Sequence, residues 1–400
     1  MVRPKFLPRT VVILGLVSLF NDAASEMIAP LLPLFLTATL GAGPAVVGLI
    51  EGIAEATASV LKLASGRLAD RGWSIRALVI GGYSLSNVAR PLIGLTGSWA
   101  GVLVLRFLDR AGKGIRTAPR DALIVTATPP DIRGRAFGFH RSMDHLGAVI
   151  GPLLAFAILA QGVEMADTFV LSGVIGAAVV LLLFFGLPRS RGQATAEPAA
   201  AAAARSSLIR LPWRTLDPRL RRLIVASGVL ALATTPEAFI VLWAHAQGLE
   251  IVWVPLVWAA AHLAKSAIAF PAGTLSDRYG RTVVLVTGWS ARVATLLALA
   301  FAPTSPLLVW VLFIAYAASL ALTEAAERSL IGDVANERER GTAFGMYHLA
   351  SGLLALPGAL LFGVVWEWRG ASTAFVGAGA LTVVAITLIA VSGTSARSPS

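Results

Sequence analysis

The chain has 400 residues, 56% of them hydrophobic and 14% charged, against about 25% charged in an ordinary soluble protein. A mean hydropathy of +0.76 excludes a soluble globular fold, and the absence of cysteine excludes disulfides and thiolate metal sites. The formal charge of +11 would suit a nucleic-acid binder only if bases clustered with aromatics in an exposed domain, and no such cluster occurs.

Apolar runs of helical length follow one another along the chain. Val11–Phe20 continues into Ile28–Leu36, and Leu171–Leu187, Val283–Ala302 and Ala371–Val391 are others. About 20 such residues cross a hydrocarbon core of about 30 Å. Roughly twelve spans are expected, joined by short connectors rich in Gly, Pro and Arg, so the fold class is an all-α polytopic membrane protein. The basic start before Val11–Phe20 resembles a signal peptide. The apolar run resumes past Asp22 without a cleavage site, however, and reads as the first span.

Alternate connectors carry the basic residues. They are Arg3, Lys5 and Arg9, then Arg71 and Arg76, then Arg133 and Arg135, then eight arginines from Arg189 to Arg222, then Arg278, Arg281, Arg338 and Arg340. The opposite connectors, around Gly41, Gly97, Gly162, Gly248 and Thr304, hold no Lys or Arg, and only Arg369 breaks the series. This positive-inside bias places both termini in the cytoplasm, in a membrane of the bacterial inner type.

In chain order, the first span offers Asp22 and Glu26, one turn apart and in line with Pro30 and Pro33. The second offers Glu51 and Glu55, with Lys62 snorkelling to the inner interface. The fourth, Leu103–Leu123, contains LRFLDRAGKGIRTAPRD. A charge at the bilayer centre costs about 2.5–3.5 kcal/mol, so this span needs water or counter-charges. Arg106, Arg110, Lys113, Thr117 and Arg120 form a helical stripe, Asp109 and Arg116 flank it, and Leu103, Phe107 and Ile115 occupy the other face. One wet face on a hydrated cavity is expected, unless Asp109 merely neutralises Lys113 four residues on.

The fifth span carries His140, Arg141, Asp144 and His145 in its inner half. In the second half of the chain Glu237, His262, Lys265, Glu324, Glu327 and Arg328 lie at comparable depths. Arg90 and Arg292 are mid-span and solitary, and neither is assigned a role. Trp243, Trp253 and Trp258 read as interface belt or packing.

The chain repeats itself. RGRAFGFHRS begins at Arg133 and RGTAFGMYHL at Arg340, while GRLADR begins at Gly66 and GTLSDR at Gly273. Both pairs are 207 apart (340 − 133 and 273 − 66), so two six-helix bundles are expected, 1–187 and 220–400, with an Ala-rich linker at 188–219. At that offset Glu55 matches His262, and Arg120-Asp121 matches Glu327-Arg328 with signs inverted, which suggests salt bridges across the pseudo-two-fold axis.

With six plus six spans, a long middle connector and a motif after the second span repeated after the eighth, nearly the whole chain resembles the major facilitator superfamily of secondary transporters. That family's motif is roughly Gly-x-x-x-Asp-Arg-x-Gly-Arg-Arg. Gly273, Asp277, Arg278, Gly280 and Arg281 fit it well. Gly66, Asp70 and Arg71 keep its first part, with the Gly-Arg element displaced toward Arg76. The resemblance implies an inner-side latch: Asp at the helix end against a neighbouring helix N-terminus, and Arg paired with an acid such as Asp121. Arg120, Glu327 and Arg328 join this gating group.

A narrower resemblance lies in HLGAVIGPLLAF. Gly147, Gly151 and Pro152 are spaced as in the Gly-x-x-x-Gly-Pro motif of the superfamily's antiporters, mostly drug exporters, although Ala155-Phe156 replaces the usual Gly-Gly.

The expected function is therefore proton-coupled export of a small anionic or zwitterionic organic solute or drug, as a monomer in the bilayer. Asp22, Glu26, Glu51 and Glu55 are the proton-coupling candidates. Arg106, Asp109, Arg110, Lys113, Arg116, His140, Arg141, Asp144, Glu237, His262, Lys265 and Glu324 are the substrate-site candidates. No cofactor or resident metal is expected. No phosphate-binding loop is present, so the energy comes from an ion gradient. Two alternatives are a divalent-metal exporter using His140, His145, His262 and carboxylates, and a membrane-embedded enzyme or receptor, for which no catalytic constellation is visible.

Overall fold

The computed structural model describes residues 6–70, 72–129, 132–187, 218–233, 235–334 and 340–393. Among these residues the structure is helical throughout, with no strand. The helices are α1 (Arg9–Ile28), α2 (Pro44–Asp70), α3 (Ile75–Ile93), α4 (Trp99–Ala127), α5 (Arg133–Leu159), α6 (Met165–Gly186), α7a (Pro218–Leu232), α7b (Glu237–Ala246), α8 (Val254–Tyr279), α9 (Arg281–Phe301), α10 (Pro306–Val334), α11 (Arg340–Arg369) and α12 (Ala371–Gly393). Most of the expected linker, 188–217, lies outside the described residues.

Among the described residues ten helical stretches are long and apolar enough to cross a membrane. The two long helices that are not among them are α3 and α4, which carry Arg76 and Arg90, and the charged stretch from Arg106 to Asp121. Where prolines interrupt the backbone N–H series the helices respond in two ways. After α1 the chain passes through Leu32–Leu34 and a π-helical turn, Phe35–Thr39, and α7 breaks before Pro236. In contrast, α3, α4, α5, α8 and α11 continue through Pro91, Pro119, Pro152, Pro271 and Pro357.

The turns record the repeat in their backbone. Gly41 and Gly248, 207 residues apart, both take positive φ, at 68° and 94°, a region L side chains rarely enter. Gly72 and Gly280 do the same one residue out of step, which is the displacement already visible in the motif.

Contacts group the chain into two compact units. The first comprises Met1–Ala42, Thr57–Ala196 and Glu250–Ala259, and the second Gly43–Ala56, Glu197–Leu249 and Ala260–Ser400. In the first unit Val11, Leu14 and Val17 of α1 pack with Val79 and Tyr83 of α3 and Val179 and Leu183 of α6. The 3-10 turn Ile251–Trp253 ahead of α8 also joins it, through rings of Phe156 and Trp253 with centroids 5.5 Å apart. In the second unit Ile224, Leu285, Trp289, Ala385 and Ile389 from α7a, α9 and α12 form the core. The outer part of α2 packs there too, Gly48 against the Ala359 carbonyl and Gly52 with its missing Cβ 2.9 Å from the Leu356 Cα. Lipid supplies no hydrophobic drive between helices, so small residues that let backbones touch do the packing.

Candidate functional site

The densest polar cluster of the first unit lies where α3 and α4 meet. Ser74 and Ser98 cap these helices, accepting from the amides of Ala77 and Gly101 at 3.3 Å each. Gly82 and Gly112 then bring the two backbones together, and each would set a Cβ against the other's carbonyl. That approach buries Asp109 and Arg116 of α4, one turn either side of Gly112, against Ser86 and Arg90 of α3.

Asp109 is a hub. It accepts from Arg90 Nε at 2.8 Å, and Arg106 and Arg110 stand 3.4 and 3.8 Å away. It is thus not the private partner of Lys113 that an i, i+4 spacing allowed. Arg90, solitary in the sequence, is the principal ion-pair partner that sequence reasoning missed. Its Nη1 also donates to Asn21 Oδ1 on α1 at 3.1 Å. Arg116 donates to Ser86 Oγ at 2.7 Å and lies over the Tyr83 ring at 4.4 Å. Of the expected stripe, Arg110, Thr117 and Arg120 are half-buried. Arg106, Asp109 and Arg116 are buried in protein, Lys113 is exposed, and Phe107 of the nominally apolar face is 43% exposed.

A second cluster joins α1, α4 and α5. Ser18 donates to Asp144, whose other oxygen lies 3.5 Å from His140 Nδ1 and 3.7 Å from Arg141. His140 is 2% exposed, and its Nε2 has no hydrogen-bond partner among the described residues. Asp22 accepts from Asn21 Nδ2 at 2.9 Å and lies within electrostatic reach of Asp144, Glu26, Lys113 and Arg116. Gly147 abuts the Leu19 carbonyl and has its missing Cβ 3.0 Å from the Cβ of Asp22, and Gly151 abuts the Ala23 carbonyl. The Gly-x-x-x-Gly-Pro stretch, with Pro152 inside the helix, therefore presses α5 onto the acid-bearing part of α1. Glu26 accepts from Trp258 Nε1 at 2.9 Å, so that tryptophan is a hydrogen-bond donor as well as packing. Glu51 and Glu55 lie on the part of α2 that belongs to the second unit, half-buried and exposed respectively.

In the second unit Glu237, first residue of α7b, pairs with Lys265 of α8, one turn beyond His262. Glu327 accepts from Trp289 Nε1 at 3.2 Å and from the Tyr347 hydroxyl at 2.7 Å, and Glu324 is exposed on the same helix.

The expected gating residues divide. Arg71 lies outside the described residues, as do the side chains of Asp70 and Arg328. Gly66 packs ordinarily on Ala118, 3.5 Å from its missing Cβ. In the second copy, Asp277 pairs with Arg281 and Arg278 lies 5.4 Å from the Tyr279 ring, just beyond Gly273 in the same helix. That ion pair is internal to the motif. Arg76 donates to the carbonyls of Phe184 and Leu187 at 3.0 and 3.4 Å, closing the end of α6 where the helix dipole favours a cation. Arg120 pairs with its neighbour Asp121 at 2.8 Å.

A profile described as the Major Facilitator Superfamily matches residues 14–264 and 245–399. An uncharacterized MFS-type transporter of Methanocaldococcus jannaschii is 29% identical over 371 residues, 90% of this chain and 89% of the relative. A multidrug resistance protein of Aeromonas hydrophila is 29% identical over 146 residues, 36% of either chain. Among solved structures, the nucleoside transporter NupG aligns with a TM-score of 0.80 at 13% identity, over 96% of this chain and 99% of the other.

Proposed function

The chain belongs to the major facilitator superfamily, and from that membership we propose that it is a proton-coupled exporter of a small anionic or zwitterionic organic solute, working by alternating access with all twelve helices spanning the bilayer. One observation carries the coupling. Asp22 and Asp144 lie within electrostatic reach of each other and of Lys113 and Arg116, with His140 beside Asp144. Two carboxylates that repel one another and share nearby cations exchange a proton most readily when a solute or a helix movement alters those neighbours. His140 brings an imidazole whose Nε2 has no hydrogen-bond partner among the described residues.

Export is supported by the seating of the antiporter-type motif directly on the Asp22 stretch, and by the partial likeness to a multidrug resistance protein. The divalent-metal reading has no such support, since no three His, Asp or Glu side chains converge among the described residues.

The test is reconstitution into liposomes carrying an interior pH dye, with a panel of small organic acids and zwitterions. A solute gradient should move protons in the opposite direction. Asp22→Asn and Asp144→Asn should each cut that proton movement at least tenfold, while leaving solute exchange down its own gradient measurable. Solute flux with no pH change in the parent protein would overturn the coupling.

A further inference from the structure

The second unit holds an open cavity of about 260 Å³ among α7a, α9, α10 and α11. Its polar lining comes from Ser227, Arg292, Thr323, Glu324, Glu327 and Ser351. Arg292, unassigned from sequence, is 5% exposed. Its Nε has no hydrogen-bond partner and its guanidinium no ion pair among the described residues. A buried guanidinium without an ion pair is costly; Arg90, the buried arginine of α3 in the first unit, is held by Asp109 at 2.8 Å. A charged group buried on the wall of a cavity, with no ion pair among the described residues, is suited to a charge brought by a ligand.

The repeat gives the cavity a second meaning. Subtracting 207 from Thr323, Glu324, Glu327, Tyr347 and Ser351 gives Arg116, Thr117, Arg120, His140 and Asp144. The cavity thus occupies, in the second repeat, the place that the charged α4–α5 cluster fills in the first. There the cations are on α4. Here α10 presents carboxylates, and the cation comes from α9.

We propose that this cavity binds the charged ends of a small zwitterion, its carboxylate on Arg292 and its ammonium toward Glu324. This deepens the transporter reading and rests on it. The planar fork of Arg292 matches a carboxylate, and Ser227, Thr323 and Ser351 bring hydroxyls to the same walls. Glu324 lines the same cavity and is exposed on α10, where an incoming ammonium meets it. The lining holds one guanidinium and two carboxylates, so a net anion would meet excess negative charge, and a simple cation would leave Arg292 unmatched. The volume lies below the 300–1,000 Å³ or so of pockets for drug-sized ligands, which fits a molecule of amino-acid size.

The experiment uses the purified full-length protein in nanodiscs, with binding of the ω-amino acids from glycine to 6-aminohexanoate read by thermal unfolding and titration calorimetry. Butyrate and butylamine serve as probes lacking one charge. At least one ω-amino acid should bind, and both single-charge probes at least tenfold more weakly. Arg292→Gln should weaken the zwitterion tenfold or more, with Arg292→Lys restoring part of it. Glu324→Gln should weaken the zwitterion while sparing butyrate. Should Arg292→Gln not fold, Ser351→Leu, which fills the cavity and keeps the arginine, should abolish binding. If no ω-amino acid binds the parent, or if Arg292→Gln and Ser351→Leu bind as the parent does, the site is wrong. Zwitterion-driven proton flux untouched by Arg292→Gln would remove the site and leave the exporter reading standing. Binding through Arg292 with no proton flux from any solute would do the reverse.

Discussion

Asp109 holds together more charge than its own. Three arginines converge on one buried carboxylate, so removing the acid and removing a base are unequal changes. Asp109→Asn leaves three guanidinium groups in a buried site without a counter-charge and should cost about 3–5 kcal/mol, the range for breaking a buried pair. Arg90→Gln leaves Asp109 with Arg106 and Arg110 and should cost distinctly less. Thermal unfolding of the two variants in one detergent decides it, and equal losses would mean that Arg90 is the principal stabiliser. None of this was legible in the sequence. The charges were visible, and so was their expense in oil, but the partner of Asp109 sits on another helix, where no spacing rule reaches. The i, i+4 neighbour Lys113 was the local candidate, and close approach of the backbones at Gly82 and Gly112 brought Arg90 instead.

At the scale of the helix, α3 carries two adjacent glycines with opposite expectations. A Cβ on Gly82 would stand 2.7 Å from the Gly112 carbonyl oxygen, and backbone cannot move aside cheaply, whereas a Cβ on Gly81 meets nothing within 4 Å. Gly82→Ala should therefore destabilise the protein, while Gly81→Ala should be neutral or gain up to about 1 kcal/mol from helix propensity. Unfolding midpoints of the two variants check this, and a loss at Gly81 would mean that the exposed face of α3 is covered. The helices themselves were readable because lipid imposes length and hydropathy on each. The fourth span was found despite its charges because connectors on either side left it nowhere else to go. Its limits fell short, Leu103–Leu123 against Trp99–Ala127, because connectors bound a span only loosely, and the helix begins at its Ser98 cap and runs on to Ala127. Prolines misled less than their reputation would allow. Five sit inside continuous helices, while α1 and α7 break near theirs.

The whole molecule depends on whether α3 and α4 cross the bilayer, since among the described residues ten other stretches meet the hydropathy requirement and these two do not. Most of their charged side chains have partners within the protein. Arg90, Arg106 and Arg110 share Asp109, Arg116 lies on Tyr83, Arg120 pairs with Asp121, and Arg76 closes α6. A hairpin of helices whose charged groups hold one another can cross where either helix alone could not. The absence of cysteine makes the question directly measurable, because single cysteines report without background. Trp73 lies in the turn before α3, 60% exposed, and Gly97 lies in the turn between α3 and α4 with nothing near its missing Cβ. Thr304, exposed before α10, is a reference on the side without basic connectors. With both helices crossing, a membrane-impermeant maleimide applied to intact cells should label Gly97→Cys and Thr304→Cys and reach Trp73→Cys only after lysis. With neither crossing, every later connector keeps its side, and Gly97→Cys alone changes, becoming protected together with Trp73→Cys. Gly97→Cys therefore decides between twelve spans and ten. Its protection would place Asp109 and its arginines at an aqueous face, and the burial that makes their pairing matter would be gone.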